Sequence, residues 1–312
     1  MSRAATADAR FEREHCSVSA FHDPATGSWQ YVIADRATRA AAIIDPVLDF
    51  DLRAGSVTTT NADRLLHHIR DERLEVAWVL DTHPHADHFS AAPYLAERLG
   101  AQTAIGSRIV EVQALWKAIY CLEDVAANGS QWSRLLDDGD TFDIGKLTAR
   151  AVHSPGHTLA SMTYVIGDCA FVHDTLMMPD AGTSRADFPG GDAHALYRSI
   201  AAILGFEDDT AVFVGHDYGP HGRAPRCMAT IADQRTDNIH VGGGVDEASF
   251  TRLRAERDAT LPLPDLMLAA LQVNIGGGRL PAPEPCGRRF LKIPLGEFDG
   301  AGGRHTPTSP SF

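Results

Sequence analysis

Seven residues, Thr82-His83-Pro84-His85-Ala86-Asp87-His88, place three imidazoles and a carboxylate directly after the apolar run Val76-Ala77-Trp78-Val79-Leu80. A short apolar run that ends in a polar cluster reads as a buried strand delivering its last residues to a loop. Each polar group held there away from water needs a partner, and packing alone does not supply four of them. Neutral imidazole nitrogen and carboxylate oxygen suit zinc and divalent iron. The cluster therefore predicts a metal site at a strand end, and it requires a fold that brings further ligand-bearing loops beside that end.

The flanking patterns supply such loops. Cys16 to Phe21, Trp29 to Ala34 and Ala40 to Ile44 read as strands of an antiparallel meander, divided by turn residues at Asp23-Pro24-Ala25-Thr26-Gly27 and by Asp35-Arg36. Asn61 is placed to cap a helix through Glu72 that carries Leu65, Leu66 and Ile69 on one face. After the histidine cluster, helix and strand alternate: a helix over Phe89 to Leu99, a strand Gln102 to Ile105, and a helix over Arg108 to Lys117. Leu147 to His153 leads into Ser154-Pro155-Gly156-His157-Thr158, Met162 to Ile166 and Cys169 to Asp174 form a hairpin about Gly167-Asp168, and Ala211 to His216 is a last strand. Helices over Asp246 to Thr260 and Asp265 to Leu271 precede a Gly- and Pro-rich tail. No internal repeat is evident, so the simplest division is a tail over 1–14, one catalytic domain over 15–243 and a C-terminal helical extension over 244–312.

Composition narrows the function. A chain of 312 residues can bury a full core. Its net charge of -13 argues against a nucleic-acid partner, which needs clustered Lys and Arg. Met1 to Arg13 lacks an apolar h-region and no stretch approaches the roughly 20 apolar residues that span a bilayer, so a cytoplasmic protein without membrane contact is expected. Five scattered cysteines without a C-x-x-C pair suggest neither a disulfide framework nor a thiolate zinc site.

His157, Asp174 and His216 each follow a strand, where open α/β sheets place ligands. With His83, His85, Asp87 and His88 they make seven potential ligands, enough for two metals. One division gives His83, His85 and His157 to the first and Asp87, His88 and His216 to the second, with Asp174 bridging.

The order and context of His83-x-His85-x-Asp87-His88, the His157 loop, Asp174 and Gly215-His216-Asp217 resemble the metallo-β-lactamase superfamily over roughly Cys16 to Tyr218. The resemblance implies an α/β fold, an αββα sandwich with its metal site at one sheet edge. Within the superfamily the segments Thr82 to His88, His153 to Thr158, Gly182 to Asp192 and Gly215 to Tyr218 are most similar to the persulfide dioxygenases, particularly their bacterial β-lactamase-related hydrolase-like branch. That likeness implies one Fe(II) per chain held by His83, His157 and Asp174, with His85, Asp87, His88 and His216 supporting those ligands. It further implies that O2 oxidises the terminal sulfur of a persulfide, usually glutathione persulfide, to give sulfite and thiol. A glyoxalase II type thioester hydrolase with one or two Zn(II) uses the same ligands and is the alternative, beside a non-catalytic metal-binding protein. The oligomeric state, homodimer included, is open.

Single residues carry paired readings. Arg185 is placed either to anchor a substrate carboxylate or to brace its loop through Asp187, and Tyr218 either to donate a hydrogen bond to substrate or to pack. Asp192 is expected to cap the helix beginning at Ala193. Arg288, Arg289 and Lys292 read as a solvated charged face rather than an anion attractor. His173 stands where the resembled family has glycine. Alternation along a strand turns it away from the metal if Asp174 faces it, leaving a hydrogen-bonded interior histidine.

Overall fold

The computed structural model describes residues 7–298. In chain order the first half contains β1 (Ala9–Glu12), β2 (Cys16–Asp23), β3 (Ser28–Asp35), β4 (Ala40–Ile44), β5 (Val47–Asp51), β6 (Ser56–Thr58), α1 (Thr60–Glu72), β7 (Glu75–Leu80), β8 (Phe89–Ser90), α2 (Ala92–Leu99), β9 (Gln102–Gly106), α3 (Ile109–Tyr120) and β10 (Arg134–Leu136). The second half contains β11 (Thr141–Ile144), β12 (Leu147–His153), β13 (Met162–Ile166), β14 (Cys169–His173), α4 (Ala193–Ile203), β15 (Ala211–Val214), β16 (Met228–Thr230), α5 (Ile231–Asp237), α6 (Glu247–Asp258) and α7 (Met267–Asn274).

One sheet runs β1-β2-β3-β4-β7-β9-β10 and the other β11-β12-β13-β14-β15-β16, with β6-β5-β8 as a small third sheet. Period-two alternation sorts their side chains into layers. Tyr31 and Ile33 of β3 meet Phe171 of β14 and Phe213 of β15 between the two sheets. Val32 of β3, Ile43 of β4 and Val79 of β7 face Leu65 of α1, Leu95 of α2 and Val273 of α7 on one outer side. On the other, Val172 and Val212 face Leu196 and Ile200 of α4 and Phe250 of α6. The expected αββα sandwich is the fold. Because central strands are covered on both faces, β3 is buried at every position rather than at alternate ones.

Three local readings are corrected. Residues 9–12 are not a free tail but the edge strand β1, paired with β2, with Phe11 against Phe213 at 5.3 Å and the charged Arg10 and Glu12 exposed. Asn61 does not cap α1; it lies inside the helix, and the Asp49 carboxylate of β5 accepts from its N–H at 3.0 Å and its side-chain amide at 2.8 Å. The helix expected from Phe89 begins at Ala92, because Val47 and Leu48 of β5 pair with Ser90 and Phe89. The Asp192 cap is as expected: its Oδ1 accepts from the N–H groups of His194 at 2.7 Å and Ala195 at 2.9 Å. Lys292 donates to the Cys121 carbonyl at 3.0 Å and Arg289 to that of Pro281, while all three basic residues of that segment stay exposed. Among the described residues no helix is long and apolar enough to cross a membrane.

Candidate metal centre

The cluster after β7, the loop after β12 and the ends of β14 and β15 meet at one edge of the sandwich. Two glycines make that approach possible. A Cβ on Gly156 would lie 2.2 Å from the backbone nitrogen of Leu196, and one on Gly215 would lie 2.7 Å from Asp174 Oδ1. Without side chains there, the His157 loop closes on α4 and β15 lies against the aspartate.

Ligand atoms of His83, His157 and Asp174 gather within 4.8 Å of one another, all in buried residues. The atoms that converge are His83 Nε2 and His157 Nε2, at 4.0 and 3.7 Å from Asp174 Oδ2. His157 Nδ1–H donates to the Arg185 carbonyl at 2.9 Å, which selects the tautomer with a free lone pair on Nε2. His83 Nε2 is buried without a hydrogen-bond partner. An orphaned lone pair facing a second imidazole and a carboxylate is what a metal ion would satisfy, so these residues fit one.

A second group, His85, Asp87 and His88, also comes within 4.8 Å. It differs from the division made on spacing alone, which put His85 with His83 and His216 with Asp87 and His88. His216 sits between carboxylates: Nδ1 donates to Asp174 Oδ1 at 2.5 Å and Nε2 to Asp87 Oδ2 at 2.6 Å. Burial opposes its charge, yet Asp174 and Asp87 hold its pKa well above the usual imidazole range. His216 belongs to neither group of ligand atoms that gather within 4.8 Å of one another. His85 Nε2 lies 3.0 Å from Asp45 Oδ1, and that carboxylate outweighs burial to raise the His85 pKa to about 8. His88 Nδ1–H donates to the Phe89 carbonyl at 3.0 Å, and burial, then the neighbouring His85, lowers its pKa to about 4.

His173 corrects a further expectation. Strand alternation fails here because β14 shifts register between Phe171 and His173, and His173 takes φ of 42°, a conformation that favours glycine. Its ring therefore turns to His83, with centroids 5.0 Å apart. It is nevertheless a hydrogen-bonded interior histidine, since Thr175 Oγ1 meets its Nε2 at 2.8 Å. Burial pushes its pKa down to about 3.

Arg185 braces rather than reaches outward. Its guanidinium makes two bonds to Asp187, at 2.6 and 2.8 Å, and a third to the Pro262 carbonyl at 2.5 Å. Tyr218 is 66% exposed, its ring stacked on His216 at 5.9 Å, so it borders the centre rather than packing inside. An apolar recess beside His157 is lined by Pro84, Trp116, Leu159, Phe188 and Leu271.

Several supporting residues escaped the sequence reading. Asp45 accepts from the Thr82 N–H at 2.7 Å and the Thr82 hydroxyl at 2.8 Å, fixing the start of the histidine loop. Its signal was present, an acid directly after the apolar Ala41 to Ile44 run. Asn274 at the end of α7 donates to the carbonyls of His85 and His88, both at 2.7 Å, and accepts from the Ser90 N–H at 2.8 Å. Arg254 and Asp258 of α6 hold the 183–186 segment: Arg254 donates to the carbonyls of Thr183 and Ser184, and Asp258 accepts from the Ala186 N–H. Nothing local in the sequence marks these three.

Comparison with known proteins matches the metallo-beta-lactamase superfamily over residues 23–216. A Beta-lactamase hydrolase-like protein of Xylella fastidiosa is 58% identical over 284 residues; the match covers 91% of this chain but only 66% of that protein's length. Glyoxylase B2 of Dictyostelium discoideum is 42% identical, over 89% of this chain and 96% of its own. The mitochondrial persulfide dioxygenase ETHE1 of Bos taurus is 28% identical, over 82% and 86%. The crystal structure of ETHE1 from Myxococcus xanthus superposes with a TM-score of 0.68 at 30% identity, covering 84% of this chain and 99% of that one.

Proposed function

Because this chain belongs to the metallo-β-lactamase superfamily, whose fold serves several chemistries, we propose its reaction from its donor set: it is a mononuclear Fe(II) persulfide dioxygenase. Its substrate is glutathione persulfide or a related low-molecular-weight persulfide, which it converts with O2 to sulfite and thiol. The observation that carries this reading is the convergence of His83 Nε2 and His157 Nε2 on Asp174 Oδ2, with His83 Nε2 buried and without a hydrogen-bond partner. His83, His157 and Asp174 thus present a two-histidine, one-carboxylate face, the donor set of non-haem iron oxygenases. Likeness to the two ETHE1 proteins supports it further.

Bound at that face, iron would supply the redox capacity and open positions that sulfur oxidation needs and that zinc lacks. The protein's own groups do the rest. The Arg185 carbonyl aims His157, and His216 grips Asp174 Oδ1 so that Oδ2 stays turned to the two imidazoles. Ser28 Oγ donates to Asp87 Oδ2 at 2.9 Å and keeps that carboxylate against His216. The recess lined by Trp116, Leu159 and Phe188 keeps water from one side of His157. Tyr218, exposed beside His216, offers a phenolic donor to an incoming anion.

A thioester hydrolase is the second reading, favoured by the His85, Asp87 and His88 group and by the likeness to Glyoxylase B2. A non-catalytic metal-binding protein is the third. An oxygen electrode with sulfite detection, run beside an anaerobic thioester-hydrolysis assay and metal analysis, separates all three. Iron-loaded protein given glutathione persulfide should consume O2 and form sulfite in equal amounts, and should turn over S-lactoylglutathione poorly. Rapid anaerobic thioester hydrolysis without persulfide-dependent O2 uptake makes it the hydrolase, and metal retention with neither reaction makes it the binding protein.

A further inference from the structure

A second reactive group lies at the end of β14 remote from Asp174. Cys16 opens β2 in one sheet and Cys169 opens β14 in the other. Their Sγ atoms meet across the sandwich at 3.8 Å, in contact but not bonded. Each is the first buried residue after an exposed turn, Glu14-His15 before Cys16 and Gly167-Asp168 before Cys169, so the pair lies one residue from solvent at the rim. Beside it, Arg13 donates to Asp168 Oδ2 at 2.7 Å, and Asp168 Oδ1 lies 3.6 Å from Cys169 Sγ. Two buried thiols can serve merely as small apolar groups. These differ in facing each other at a solvent rim beside a guanidinium, whereas Cys121, Cys227 and Cys286 have no sulfur partner among the described residues.

We propose that Cys16 and Cys169 form a redox-active dithiol that closes to an intramolecular disulfide between the two sheets, with a low-molecular-weight disulfide or persulfide as oxidant. The geometry sets the order of events. Cys16 is the attacking thiol because the Arg13 N–H donates to its carbonyl at 2.9 Å and brings the guanidinium to its side of the pair; the hydrogen bond with Cys169 lowers its pKa, against burial and Asp168, and Arg13 and Arg36 add to the lowering. Its thiolate attacks one sulfur of the oxidant R–S–S–R, forming Cys16–S–S–R and releasing RS⁻, which takes up a proton. The Cys169 thiolate then attacks Cys16 Sγ and expels the second RS⁻. The two cysteines lose two electrons and two protons, and the oxidant leaves as two thiols. With a persulfide the products are one thiol and hydrogen sulfide. The same three side chains, Cys16, Asp168 and Cys169, also lie close enough to hold a metal ion. The Arg13 guanidinium already occupies the Asp168 carboxylate and opposes a second cation there, which is why the site is assigned to thiol exchange. The inference does not depend on the reaction at the histidine centre.

The test uses the full chain with the exposed cysteines removed as C121S/C286S, which leaves three thiols. After equilibration with oxidised glutathione, and in parallel with the smaller oxidant diamide, alkylation under denaturing conditions should find one thiol instead of three. Peptide mapping should show Cys16 joined to Cys169, and the thermal midpoint should rise and return with dithiothreitol, since the crosslink closes a long loop. Adding Cys169→Ala should trap one glutathione on Cys16. Three alkylatable thiols after both oxidants overturn the proposal. So does a stoichiometric zinc ion that is lost in Cys16→Ser but kept in His83→Ala, which makes the cluster a metal site instead.

Discussion

Arg254 is the most informative side chain to remove, because it touches no candidate ligand and yet supports one. It is 1% exposed, paired one helical turn away with Asp258, which is 5% exposed, at 2.9 Å. At an effective dielectric near 20 that attraction is roughly 6 kcal/mol. Burial offsets much of it, lowering the Arg254 pKa and raising that of Asp258. Arg254→Met leaves Asp258 buried without its counter-charge and takes a donor from the carbonyls of Thr183 and Ser184. A broken buried pair costs about 3–5 kcal/mol. The double variant R254M/D258N removes both charges and keeps an acceptor for the Ala186 N–H, so about 2 kcal/mol should remain lost, ~1 for each abandoned carbonyl. The second substitution should therefore recover stability. The same segment carries the Arg185 carbonyl that aims His157, so metal affinity in R254M should fall about 10- to 100-fold. Urea unfolding of the three proteins and chelator competition measure both effects. R254M within about 0.5 kcal/mol of the parent refutes the buried-pair argument, and normal metal affinity in a destabilised R254M refutes the link to His157.

Alanine at His83, His157 or Asp174 should abolish metal binding, whereas Asp87→Ala and His216→Ala should weaken it roughly 10- to 100-fold; loss in His216→Ala as complete as in Asp174→Ala, by elemental analysis, contradicts the proposal of a single metal. Asp192→Ala should lower stability by about 1 kcal/mol through the loss of the α4 cap, read from the urea midpoint at an unchanged slope. His240, whose Nδ1 accepts from the Thr183 N–H at 2.9 Å, has its pKa lowered to about 4 by burial and then by Arg254 and Arg257. The folded state thus binds fewer protons than the unfolded one between about pH 6.5 and 4, so stability should drop by up to ~3 kcal/mol as the solution is acidified through that window. His240→Asn, which keeps an acceptor, should flatten that part of the pH profile; superimposable profiles for the two proteins would sink the assignment.

Much of the centre was legible because its signals are local. A strand that ends in His83 to His88 announces ligands by residue type and spacing. His157, Asp174 and His216 each follow a strand, so the same reading finds them. Asp192 capped its helix as expected because capping is decided within three residues. The reading failed where a distant strand outvoted the local pattern: Asp49 of β5 took over the capping of α1 from Asn61, and pairing with β5 drew Phe89 and Ser90 out of the helix.

The sequence by itself determined most of the strands and helices, through the periods of its apolar residues, and the chemical class of the donor set, while the αββα layering was implied by the family that its motifs resemble. Only the tertiary structure decided how those donors divide. His85, His88 and His216 are equivalent as residue types, but Asp45 draws one, the Phe89 carbonyl another, and two carboxylates enclose the third. Likewise the direction of His173 followed from a register shift in β14, and the support from Asn274 and Arg254 from the packing of α7 and α6. The physical reason is range: helix caps and strand alternation act over a few residues, whereas a hydrogen bond that fixes a tautomer depends on which remote chain segment the packed core brings within 3 Å.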